Sequence, residues 1–238
     1  MNKIWVTKNL DLSFQQSEKG IDKKIFIGLN LSLEVASLSS IISKENLMVS
    51  TLLKTIAGVE NKYSGQINNE IKIGYLPENN FVFPWMNVSE NITFGRANDK
   101  SKVAKIVDFI GLNGYENHYP NMKSFGFLFR IGLGRMLFHD FELILIDNSL
   151  KNIQQKSRQK IYELLLKTTK HFGKTILFST SDIQEAVFLS EDIFVYNSSQ
   201  KSFNEQRVEF VVARDESLFF DDSFHHQVNK INSLIRKI

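Results

Sequence analysis

Residues 43–51 read Ser-Lys-Glu-Asn-Leu-Met-Val-Ser-Thr, between an apolar run ending at Ile41-Ile42 and a helical run closed by Gly58. A segment of the form G-x-x-x-x-G-K-[ST] at such a junction binds phosphate. Its glycines let successive N–H groups turn toward the anion, and its lysine neutralises the charge. Only the last member of that pattern is present, as Ser50 followed by Thr51. Ser43 and Met48 stand at the glycine places, and Val49 stands at the lysine place. Glu45 puts a carboxylate where phosphate would lie, and is expected to satisfy the amides that start the following helix. A second candidate is Asp147, which ends the apolar run Phe-Glu-Leu-Ile-Leu-Ile-Asp. That is the pattern of a buried parallel strand delivering a carboxylate. With Ser50 it reads either as a magnesium site through water or as a structural group. Without phosphates to share the metal, the structural role is favoured.

These groups meet only if strands and helices alternate around them. Residues 4–14 read as a strand and 25–42 as two more. Positions 61–65 read as a turn, and 66–76 as a further strand. Helices are expected at 88–94, at 101–111, over 154–170 and over 182–189, with short buried strands at 141–147, 175–179 and 192–196. A polar, partly acidic stretch then runs to Asp222, ahead of a final amphipathic helix to Ile238. Alternation of this kind implies a parallel sheet covered on both faces.

The composition narrows the class further. A chain of 238 residues has ample length for a proper core. The net charge of +3 is spread along the sequence, not gathered on one basic face, which argues against nucleic acid. Without cysteine there are no disulfides and no cysteine-ligated zinc. No apolar run approaches the ~20 residues of a membrane span. Glycine is sparse at 12 residues, about 5% against a usual ~7%, in keeping with the lost loop glycines. Asp221, Asp222, His225 and His226 read as a solvated helix start, not a metal site.

Several short segments fall in a telling order. Thr51-Leu52-Leu53-Lys54-Thr55-Ile56-Ala57-Gly58 is followed by Ile73-Gly74-Tyr75-Leu76-Pro77-Glu78 and then by Phe83-Pro84-Trp85-Met86-Asn87-Val88-Ser89-Glu90. Tyr119-Pro120 and Glu185-Ala186-Val187-Phe188-Leu189 come later. In this order and spacing the chain resembles the ATP-binding subunit of an ABC transporter, of the nitrate, sulfonate and taurine import type. The resemblance implies an α/β P-loop ATPase fold with a parallel sheet core, an N-terminal antiparallel β subdomain and an inserted helical subdomain near 80–135. A helical tail over 222–238 would complete one domain spanning 1–238.

The departures from that family fall on its functional positions. Glu78 stands where the family has a glutamine that helps hold magnesium and water. Its signature Leu-Ser-Gly-Gly-Gln becomes Lys123-Ser124-Phe125-Gly126-Phe127. Asn148 takes the place of the catalytic glutamate, Gln154 that of the D-loop aspartate, and Ser181 that of the switch histidine. Val49 in place of lysine removes a charged hydrogen bond worth roughly 1.5–3 kcal/mol, or about ten- to a hundredfold in ATP affinity. Asn148 cannot take a proton from water at neutral pH. The sequence therefore predicts no enzyme and no tightly bound cofactor, with ATP and magnesium held only at a site shared with a partner subunit. Phe14, Ser50, Thr51 and Asp147 are the residual cofactor contacts, Phe14 reading either as an adenine platform or as packing. Ser124 and Gly126 would face the partner's nucleotide, with Phe125 crowding the approach. Phe81, Phe83 and Trp85 would form an apolar docking patch for a permease. The implied partners are a sister ABC ATPase and a transmembrane permease, at the cytoplasmic face of the membrane. The alternatives are a scaffold or regulator detached from transport, and a weak ATPase with displaced catalytic residues.

Overall fold

A computed structural model describes residues 2–16, 21–79, 81–97 and 99–238. Strands β1 (Lys3–Gln16) and β2 (Ile21–Glu34) pair antiparallel, and β4 (Tyr63–Ile67) adds to the other edge of β1. The second sheet runs β5-β6-β7-β3-β8-β9, from β5 (Ile73–Leu76), β6 (Leu143–Asp147), β7 (Thr175–Thr180), β3 (Leu38–Ile42), β8 (Asp192–Asn197) and β9 (Ser202–Arg207). Its first five strands are parallel, and β9 is antiparallel to β8. Every residue of β3, β6, β7 and β8 is buried, as strands covered on both faces must be.

Helix α1 (Asn46–Ile56) lies in a core shared by the two sheets. Val49, Leu52, Leu53 and Ile56 repeat at i, i+3, i+4 and i+7, and all are buried with Leu10, Leu12, Leu31, Leu143 and Leu177. The opposite face of the parallel sheet carries α2 (Val88–Thr93), α3 (Lys100–Phe109), α4 (Phe125–Phe138), α5 (Gln155–Phe172), α6 (Ile183–Leu189) and α7 (Asp222–Lys237). Helix α4 approaches β5 closely. A Cβ on Gly132 would fall 2.5 Å from Leu76 and 2.9 Å from Phe81, so a larger residue would force these side chains to move.

Two assignments shift. Residues 63–65 belong to β4, although their composition reads as a turn. Gly65 has φ +101°, and a Cβ there would lie 2.3 Å from the Asn9 carbonyl oxygen. Close backbone approach to β1, not chain reversal, is what this glycine serves. The stretch 66–76 is broken by Asn68–Lys72, so that β4 and β5 serve different sheets.

Candidate nucleotide site

The loop after β3 is shorter than a phosphate-binding loop. Helix α1 already begins at Asn46, so 46–50 are helical and Val49 is rotated into the core, 1% exposed. The amides left free are those of the first turn, not those around Ser50. Glu45 does not cap them, against expectation. Its side chain makes no capping bond and lies 3.8 Å from Lys23 Nζ, while its own N–H donates to Ser43 Oγ at 2.8 Å. Its carboxylate is turned toward the lysine on β2 instead of the helix start. Thr51 is also removed from any ligand: it is buried, and its hydroxyl donates to the Leu47 carbonyl at 2.9 Å within the helix. Phe14 packs, half-buried, against the same core as α1.

Ser50 and Asp147 do meet. The Ser50 hydroxyl donates to Asp147 Oδ2 at 2.6 Å, and Tyr75 donates to the same oxygen at 2.7 Å. Ser179 donates to Oδ1 at 3.2 Å and accepts the Asn148 N–H at 2.9 Å. Asp147 is 4% exposed, so three hydroxyls replace the water it lost. Burial first, then the bond to Asp147, push the Tyr75 hydroxyl well above its ordinary range. Tyr75 and Ser179 are the members of this knot that sequence reading missed. Both sit on strands beside β6, Ser179 in register with Asp147 and Tyr75 with Leu145, two residues earlier.

Asn148 is buried and left-handed at φ 50°, a conformation its short side chain tolerates. Glu78 pairs with Lys151, on the short 3-10 turn Ser149–Asn152 that follows β6. Gln154 precedes α5 and makes no capping bond. Ser181 is exposed and shares a cavity with Ser43 and Asn46, beneath the last turns of α7. Loop and switch position thus share one cavity.

The signature segment lies elsewhere. Ser124 is exposed and caps α4, its hydroxyl accepting the Phe127 N–H at 3.3 Å. Gly126, expected beside it as a nucleotide contact, is buried next to Ser157 and Ile153 and lines the same cavity as Ser124. Phe125 turns inward and meets Phe81 edge-on at 5.5 Å, so it packs with the core instead of crowding Ser124. A cavity beside Ser124 is lined by Tyr115, Arg130, Ser157 and Lys160.

The aromatic patch separates into core and surface. Phe81 is 6% exposed and belongs to the core, because α4 presents a glycine to receive its ring. Trp85 is 68% and Phe94 46% exposed, with Phe83 between them at 5.5 and 4.4 Å. The loop that carries them is fixed from below. Asn87 and Glu90 form a reciprocal cap on α2, and buried Asn91 binds Phe83 N–H at 2.8 Å and the Met86 carbonyl at 2.9 Å. Arg135 donates to the Asn91 and Phe81 carbonyls at 2.7 and 2.8 Å, with its guanidinium 4.9 Å over Phe83. Burial lowers its pKa to about 10. A lone arginine in the apolar run Ile131–Phe138 was the signal available in the sequence.

The ABC transporter family profile matches residues 49–151. The taurine import ATP-binding protein TauB of Pelagibacter ubique is 31% identical over 205 residues, covering 80% of this chain and 77% of its own. The aliphatic sulfonates import ATP-binding protein SsuB 2 of Pseudomonas syringae pv. tomato is 28% identical over 187 residues, covering 75% and 81%. Among solved structures, cbiO1 of Clostridium perfringens superposes with a TM-score of 0.73 at 18% identity, over 99% of this chain and 100% of its own. A dimeric ATP-binding cassette with ADP and Pi gives 0.69 at 21% identity, over 87% and 100%. These findings correct the expectation of a non-enzyme. The relatives are named ATP-binding import proteins, and the cassettes of this fold include one captured after hydrolysis, so the chain stands among ATPases. The physical reason is that losing single side chains alters affinity and rate by factors, while the Ser50–Asp147 frame is kept. The chain belongs to the ABC transporter family, as an ATP-binding subunit of the importer type.

Proposed function

We propose that this chain serves an importer of a small organic anion of the sulfonate class, pairing head to tail with a second ATP-binding subunit beneath a permease. The observation that carries the reading is the match to import ATP-binding proteins over about three quarters of the chain. In a head-to-tail pair each nucleotide lies between one subunit's phosphate loop and the other's signature. Ser124 is exposed at the start of the 14-residue helix α4, and Arg130 and Lys160 line the same cavity. A hydroxyl, a helix start and two cations favour phosphate charge arriving from a partner. The chain's part in ATP turnover then lies chiefly at the partner's loop.

The exposed aromatics supply the contact with the permease. Phe83, Trp85 and Phe94 are costly to leave wet and are rigidly supported by Asn91 and Arg135. Trp85→Ala is expected to weaken the complex by about 2 kcal/mol, roughly thirtyfold, with folding stability unchanged. Co-purification from detergent-solubilised membranes tests it. Full retention of permease by the variant refutes the docking role, and wild-type chain that recovers no permease refutes the reading.

A further inference from the structure

Asn113-Gly114 is the one Asn-Gly pair in the chain. It sits in the connection between α3 and α4, in a turn closed by the Tyr115 N–H on the Leu112 carbonyl at 3.0 Å. Gly114 takes the third place of that turn with φ +81°, a backbone that glycine adopts without strain. Both residues are exposed, and a Cβ built on Gly114 would meet nothing within 4 Å. Neither a side chain of its own nor a neighbour shields the Gly114 backbone on that flank. Two acids bracket the pair. The Gly114 N–H donates to Glu116 Oε1 at 3.2 Å, and Asn113 Nδ2 donates to Asp108 Oδ1 at 2.5 Å. One carboxylate is placed to take the proton of the backbone nitrogen, and the other holds the side-chain amide beside it.

We propose that Asn113 is a site of self-modification, at which the Gly114 nitrogen closes on the Asn113 side chain and the residue becomes aspartate or isoaspartate. The Gly114 nitrogen forms a bond to Asn113 Cγ while its proton passes to Glu116, acting as general base. The Cγ–Nδ2 bond then breaks, and that proton departs on the side-chain nitrogen as ammonia. Water adds to either carbonyl of the five-membered imide and reopens it, so the co-reactant is solvent alone. The new carboxylate faces Asp108 without the hydrogen that had joined them, and a bond becomes a like-charge contact. Gly111, Leu112 and Tyr115, which flank the pair, line the cavity beside Ser124, so the added charge arrives next to the signature segment. The step does not depend on the importer reading.

Peptide mapping by mass spectrometry of the folded, full-length chain, held in mildly alkaline buffer and sampled over time, tests the site. Conversion adds about one dalton to the peptide carrying Asn113. Asn117 in the same connection is exposed like Asn113 but is followed by His118, and serves as the internal control. Asn113 is expected to convert roughly tenfold faster or more, because glycine leaves the attacking nitrogen open. Glu116→Gln should slow the folded chain at least about tenfold, and should make no difference in urea, where Glu116 is no longer held against the Gly114 N–H. Asn113→Gln should abolish the mass gain in that peptide. Asn113 that stays intact while Asn117 converts overturns the proposal without need of any variant. A folded Glu116→Gln chain that converts as fast as wild type overturns the role given to Glu116.

Discussion

Ser124→Arg in this chain is expected to lower the ATPase rate of the assembled importer by about a hundredfold, the effect of losing one preorganised donor at a developing anion. Ser124 is exposed at the N-cap of α4, and among the described residues its hydroxyl is engaged only with the Phe127 N–H at 3.3 Å, a long bond that a ligand oxygen can replace. Arginine at this position removes the hydroxyl and pushes a long side chain into the approach of a partner's nucleotide. The substitution leaves the core untouched, since Phe125 and Gly126 behind it carry the packing. Circular dichroism and permease retention should therefore match wild type while turnover falls. Unchanged ATPase in the Ser124→Arg complex would remove the signature from the mechanism and leave the chain as a docking subunit.

Val49→Lys, the change that restores the family's loop residue, is expected to destabilise the fold by about 3 kcal/mol or more, and not to tighten ATP. Val49 is 1% exposed in a stripe with Leu52, Leu53 and Ile56, between the two sheets. An ammonium group there loses its water among apolar side chains. A domain of this kind has ~5–15 kcal/mol in total, so the loss is a large share. Urea denaturation reads it as a lower midpoint at constant slope. A Val49→Lys chain as stable as wild type, with tighter ATP binding, would mean that the loop can reopen into the glycine-rich geometry.

Much of this was legible in the sequence because burial writes strong patterns. Phe141–Asp147 and Thr175–Ser179 are apolar runs of strand length, and the structure makes both of them central strands. Ser50 and Asp147 were paired from their places on a helix start and a strand end, and they bond at 2.6 Å. What escaped was set by distant partners. Strand β9, Ser-Phe-Asn-Glu-Gln-Arg, is polar enough to read as loop, and forms because the edge of β8 offers it a ladder. Arg207 on β9 also binds both Asp192 oxygens at 3.0 Å, a contact no local pattern announces. Phe81 read as part of an exposed patch, although Gly132 on α4 makes room for it in the core. The return of α7 to the loop after β3 escaped as well, because Lys44 and Ile235 meet across a separation of 191 positions.

The central claim is that ATP turnover by an importer depends on this chain. It is tested most directly in proteoliposomes holding the co-purified permease and second ATP-binding subunit, assayed for solute-stimulated ATP hydrolysis with and without this chain. The account predicts that turnover and uptake appear only when the chain is present, and that its Ser124→Arg form abolishes both. Full solute-stimulated hydrolysis by the permease and second subunit alone would contradict it.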